Sequence, residues 1–146
     1  MITAGKIDKA EYKTRRKGLL DDKQAVTSRI SETCRYISFG LLAIFYTLHT
    51  TKDDYGRQIL AKGPVLLTTM ALLAALSILC DYLQYFSGRQ ATERALMSDD
   101  QRYDTSWASY RLRGFFFIAK QILMLGGAAI LLVVIAAFLT SPASPK

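Results

Sequence analysis

Ionisable residues at the edges of long apolar runs are where this chain could do chemistry. Asp81 closes the apolar run 63–80, and Lys120 stands just before the run 121–140. A charge within or beside a membrane-spanning segment is costly, so it marks either an ion or proton path or an ion pair. Asp81 lies eight residues before Arg89, and Lys120 lies seven residues after Arg113. At about 1.5 Å of rise per residue, antiparallel helices would place both groups about 10–12 Å from those basic markers, at one depth. Asp81 and Lys120 are therefore expected to pair. The aromatic residues Tyr82, Tyr85, Phe86 and Phe115, Phe116, Phe117 read as a belt at headgroup level, which favours a structural pair at the interface over a conduction path.

Other candidates carry less. His49 is the one histidine, with no His, Cys or acidic residue at ligand spacing, so no metal site is expected and none of the usual cofactor motifs occurs. Cys34 and Cys80 lack metal-type spacing and read as thiols that pack. The acid pairs Asp53-Asp54 and Asp99-Asp100 are adjacent residues, which point different ways on a helix. With no nucleophile elbow, zinc-protease motif or phosphate loop, the chain is read as non-enzymatic.

The basic residues form a second group. Lys13, Arg15, Arg16 and Lys17 cluster near the start, and Arg89, Arg94, Arg111 and Arg113 flank the second and third apolar runs. They read as contacts to anionic lipid headgroups or to a protein partner, each cation contributing about 1 kcal/mol near such a surface. Nucleic acid is not expected as a partner: the net charge over residues 1–35 is only +4, and Tyr12 is the sole aromatic interleaved with the cluster.

The elements that must position these residues follow from apolarity. Three runs, 36–51, 63–80 and 121–140, hold almost no charge within a 146-residue chain of net charge +7. Each approaches the roughly 17–25 residues a helix needs to cross about 30 Å of hydrocarbon, the first only just. The run 128–138 is apolar all round, unlike a helix with one wet face. The expected fold is an all-α membrane protein with three transmembrane helices, at 34–51, 63–80 and 121–140. Residues 1–33 form a cytosolic basic helical segment, 52–62 an external connector, 81–120 a cytosolic helical hairpin and 141–146 an external, disordered tail.

Orientation comes from Lys and Arg counts. Residues 1–35 hold nine and residues 81–120 hold six, against three in 52–62 and one in the tail. Such residues resist translocation, so the N-terminus is expected in the cytosol and the C-terminus outside, as in a bacterial inner membrane. No cleavable leader is expected, because charges run through the first 33 residues.

Local signals add detail. Gly18 after a basic turn predicts a helix stop, with a hinge over residues 18–20 and a second helix capped by Asp21 or Asp22. Pro64 suits the first turn of the second span. The second span is expected to project beyond the membrane, bending at Gly88, and Ser98-Asp99-Asp100-Gln101 predicts a capping box that starts the next helix. Ala71, Ala74 and Ala75, with Gly126, Gly127, Ala128 and Ala129 on the third span, leave low ridges, and the Ala71–Ala75 spacing admits a neighbouring helix, although neither is a GxxxG motif. At the level of class, the chain reads as a small polytopic membrane subunit, scaffold or effector that self-associates, or docks a membrane or soluble partner through its cytosolic helices. The alternative is an oligomeric ion-conducting or membrane-permeabilising pore of the toxin, holin or defence-effector type.

Overall fold

The computed structural model describes residues 9–97 and 106–140, nearly all of them helical and none in a strand. Four helices follow in order: α1 Lys9–Thr50, α2 Asp54–Lys62, α3 Pro64–Met97 and α4 Ala108–Leu139. The chain divides into two compact units, Met1–Thr33 and Cys34–Lys146, with the boundary inside α1.

In the first unit, α1 passes through Gly18 without a stop, so the hinge expected over residues 18–20 is absent. One interior glycine costs a helix about 1 kcal/mol relative to alanine. Here it lies between Arg15, Arg16, Lys17 and Leu19, Leu20, with no proline to end the helix, so good helix formers on both sides carry the hydrogen bonds through. Leu19, Leu20 and Val26 stay exposed on this segment.

The second unit is organised by one repeat. On α1, Cys34, Ser38 and Leu41 are buried and Phe45 and Leu48 partly so, at alternating steps of four and three residues. On α3, Leu67, Met70, Ala74, Ser77, Asp81 and Gln84 are buried at alternating steps of three and four. On α4, Lys120, Met124 and Gly127 keep the same rhythm. A spacing averaging 3.5 residues keeps one stripe of each helix facing its neighbours, the packing of left-handed supercoiled helices.

Small residues line the contact of α4 with its neighbours. A Cβ on Gly127 would stand 3.0 Å from Leu41 Cδ1 and 3.6 Å from the Met70 carbonyl oxygen, and one on Gly126 would stand 3.5 Å from Leu73 Cδ1. Ala71 and Ala74 are buried on the facing helix, but Ala75 is exposed. Of the expected low ridge, Ala71 and Ala74 are thus turned inward and Ala75 outward. Gly88 lies inside α3, which continues to Met97, and its missing side chain leaves room for the stem of Arg113, whose Cδ would be 3.5 Å from an added Cβ.

The connector holds an unexpected helix. α2 occupies Asp54–Lys62 and sets Ile59 and Leu60 against the core formed by Leu41, Leu67, Met70 and Ala74. Pro64 opens α3, where its lost amide donor would have had no partner within the helix. α4 begins at Ala108 behind Trp107. The capping box at residues 98–101 and the tail 141–146 lie outside the described residues.

Two helices, Pro64–Met97 and Ala108–Leu139, are long and apolar enough to cross a membrane. Only 28% and 17% of their most apolar stretches are buried, whereas the core helix of a water-soluble protein would be mostly buried. Large apolar side chains such as Leu72, Leu76, Leu79, Ile122, Leu125 and Val133 face outward instead. α1 does not reach that standard, since Arg35, Tyr36, His49 and the threonines at 47 and 50 dilute its apolar run.

Candidate functional site: a buried carboxylate between two cations

The α3 seam changes character halfway along. From Leu67 to Ala74 it is apolar, and from Ser77 onward it buries Ser77, Asp81, Gln84 and Ser87. Asp81 is the centre of this polar half. Its Oδ1 accepts a hydrogen bond from Lys120 Nζ at 2.5 Å. Its Oδ2 accepts two from Arg35, from Nε at 3.0 Å and Nη2 at 2.8 Å. One carboxylate therefore holds α1, α3 and α4 together.

Each partner is set by its helix. Lys120 lies on the inward stripe of α4 one turn before Met124, and its side chain is fully buried, against 9% exposure for Asp81 and 38% for Arg35. Its ammonium sits 5.3 Å from the centre of the Phe117 ring, so an aromatic face covers the charge. Ser77 Oγ donates to the Lys120 carbonyl at 2.9 Å, locking α4 against α3 one turn from the pair. On the outer side, Arg35 Nη2 donates to the Tyr85 hydroxyl at 3.4 Å, and the guanidinium lies 5.7 Å from the Tyr85 ring centre. Charges removed from water are stabilised only when the carboxylate oxygens are satisfied, and here both are.

The structure brings Asp81 and Lys120 together and adds Arg35, which in the sequence is one more basic flank. The signal was present: Arg35 follows the inward residue Cys34 at the mouth of the first apolar run, where a guanidinium can reach inward. The aromatic residues of the expected belt divide, since Tyr82, Tyr85, Phe86 and Phe115 are exposed while Phe116 and Phe117 are half-buried. Phe115 and Phe116 meet edge to face at 5.5 Å.

The other candidate residues lie elsewhere. Arg15, Arg16 and Lys17 are exposed on α1, and Lys13 is on the same helix. Arg89 pairs with Glu93 on its own helix at 2.8 Å, Arg94 is in the last turn of α3, and Arg111 and Arg113 are exposed near the start of α4. His49 is exposed, its ring 4.8 Å from that of Phe45. Among the described residues no group of three His, Cys, Asp or Glu side chains is placed to hold a metal ion. Cys34 and Cys80 are both thiols.

Among the described residues, three buried oxygens, Ser38 Oγ, Gln84 Oε1 and Ser109 Oγ, have no hydrogen-bond partner. Beyond Ala74 the seam closes on Leu41, Leu67 and Met70, so the polar half ends against an apolar plug. Next to that plug, an apolar cleft of about 220 Å³ opens between Ile44, Leu48, Ile59, Leu131, Val134 and Phe138. The arrangement can hold three helices in register. Comparison with known proteins finds no matching family model, no matching curated protein and no matching solved structure.

Proposed function

We propose that this chain is a non-enzymatic integral membrane subunit with three spans, 34–51, 63–80 and 121–140. It self-associates or docks a partner through helical segments outside the membrane. The observation that carries this reading is the inverted distribution of side chains: apolar residues face outward along α3 and α4 while Ser77, Asp81, Gln84 and Lys120 are buried. Such a surface is costly in water and at no cost in hydrocarbon, where polar groups must instead find partners inside the bundle. α1 supplies the third span in the same manner, with Ile37, Phe39 and Ile44 outward and Ser38 buried.

The Lys and Arg distribution supports a cytosolic N-terminus and an external C-terminus, in a bacterial-type inner membrane. Apolar side chains left exposed on charged segments support docking: Leu19, Leu20 and Val26 on α1, and Leu96 and Met97 at the end of α3. An oligomeric pore is the second reading, favoured by the oxygens of Ser38 and Gln84 near the triad, which have no hydrogen-bond partner among the described residues. The apolar plug at Leu41, Leu67 and Met70 argues against a path through a single copy.

One experiment separates the two. Overexpression that collapses membrane potential, with the effect lost in Asp81→Asn or Lys120→Gln, supports the pore. Unchanged potential, with a stoichiometric soluble partner lost on deleting residues 89–110, supports the docking subunit. A chain that stays monodisperse in buffer without detergent overturns both.

A further inference from the structure

We propose that Arg35 and Tyr85 form a binding site for the phosphate group of an anionic phospholipid, at the outer edge of the Asp81 triad. This rests on the reading of the chain as membrane-embedded. Arg35 and Lys120 share the single carboxylate of Asp81, which leaves the triad with a formal charge of +1. An anion from the headgroup layer is favoured beside that positive charge.

Geometry says where that anion must come. Lys120 is fully buried and Asp81 nearly so, and only Arg35 reaches the surface, with a side chain 38% exposed. A guanidinium has five N–H donors in a planar fork. Asp81 engages Nε and Nη2, while Nη1 makes no hydrogen bond among the described residues. Tyr85 accepts from Arg35 through its hydroxyl oxygen, which leaves the phenolic proton to donate. Two kinds of donor, on the partly exposed Arg35 and the exposed Tyr85 side chain it touches, therefore lie beside each other at the outer side of the triad, in the charge-assisted pattern that suits phosphate oxygens.

The surroundings select a lipid over a soluble phosphate. Tyr36 and Tyr82 are exposed at 72% and 66%, one beside Arg35 in sequence and the other three residues before Tyr85, and tyrosine is favoured at headgroup depth. Ile37, Leu79 and Phe86 are exposed next to these residues in sequence and offer apolar surface to acyl chains. A soluble phosphate compound would gain nothing from that surface.

The test uses the full-length chain purified in a neutral detergent, with lipid retention read by native mass spectrometry. Phosphatidylglycerol and phosphatidylcholine are added at equal concentration, and inorganic phosphate is titrated separately. The expected result is preferential retention of one phosphatidylglycerol. Tyr85→Phe, which removes a single hydroxyl and leaves the triad intact, should weaken the preference by about threefold to tenfold. Arg35→Gln should abolish it. Equal retention of both lipids by the wild type, or an unchanged preference in Tyr85→Phe and Arg35→Gln, overturns the site. Inorganic phosphate displacing phosphatidylglycerol at comparable concentration overturns the lipid assignment. A chain that needs no detergent defeats the membrane reading itself, whereas a detergent-dependent chain without lipid preference defeats only this site.

Discussion

At the scale of single residues, the triad predicts an asymmetry between its members. Asp81→Asn removes the carboxylate from a fully buried Lys120, and breaking a buried pair in that way costs about 3–5 kcal/mol. Lys120→Met leaves Asp81 held by two hydrogen bonds from Arg35, which is partly exposed, so the loss should be smaller. Thermal unfolding in detergent should rank Asp81→Asn well below Lys120→Met. Equal losses would mean that the carboxylate does not organise the bundle.

The glycines make a second residue-scale test. Gly88→Ala meets only ordinary contact with Arg113 and gains helix propensity, so it should be neutral or stabilising by up to about 1 kcal/mol. Gly127→Leu must displace Leu41 and press on the Met70 carbonyl, and should cost about 1–3 kcal/mol or more. The same unfolding measurement checks both. Asp81 and Lys120 could be matched from their distances to Arg89 and Arg113, because rise per residue is constant in helices. Arg35 could not, since it looks like any basic flank until the rotation of α1 is known.

At the scale of elements, α1 shows how weak a local stop signal can be. Gly18 has open space around its Cα, so Gly18→Ala should raise helicity and stabilise the segment by about 1 kcal/mol, while Gly18→Pro should break it. Circular dichroism of the full-length variants reads the difference. A loss of helicity in Gly18→Ala would indicate that the glycine is needed as a hinge after all. The α2 helix was illegible for the opposite reason: Asp54–Lys62 is short and mostly polar, and it is the packing of Ile59 and Leu60 on the core that makes it worth forming.

For the molecule as a whole, the prediction is about sidedness. With nine Lys or Arg in residues 1–35 and six in 81–120, a reporter fused after Lys146 should be active outside the cytosol and one fused before Met1 inside. Both reporters on the cytosolic side would mean that α1 does not cross, leaving the two helices that are long and apolar enough on their own.

Composition alone decided that this chain is helical and that the stretches ending near Cys80 and Thr140 are suited to hydrocarbon, because helix length and apolarity are local quantities summed along the chain. It also placed Asp81 and Lys120 at one depth. Tertiary structure decided what lies inside: which alanines of α3 turn inward, the course of α1 through Gly18, and the arrival of Arg35 on the second oxygen of Asp81. Those depend on how each helix is rotated about its axis. That rotation is set by the mutual fit of three surfaces, a property no single segment carries.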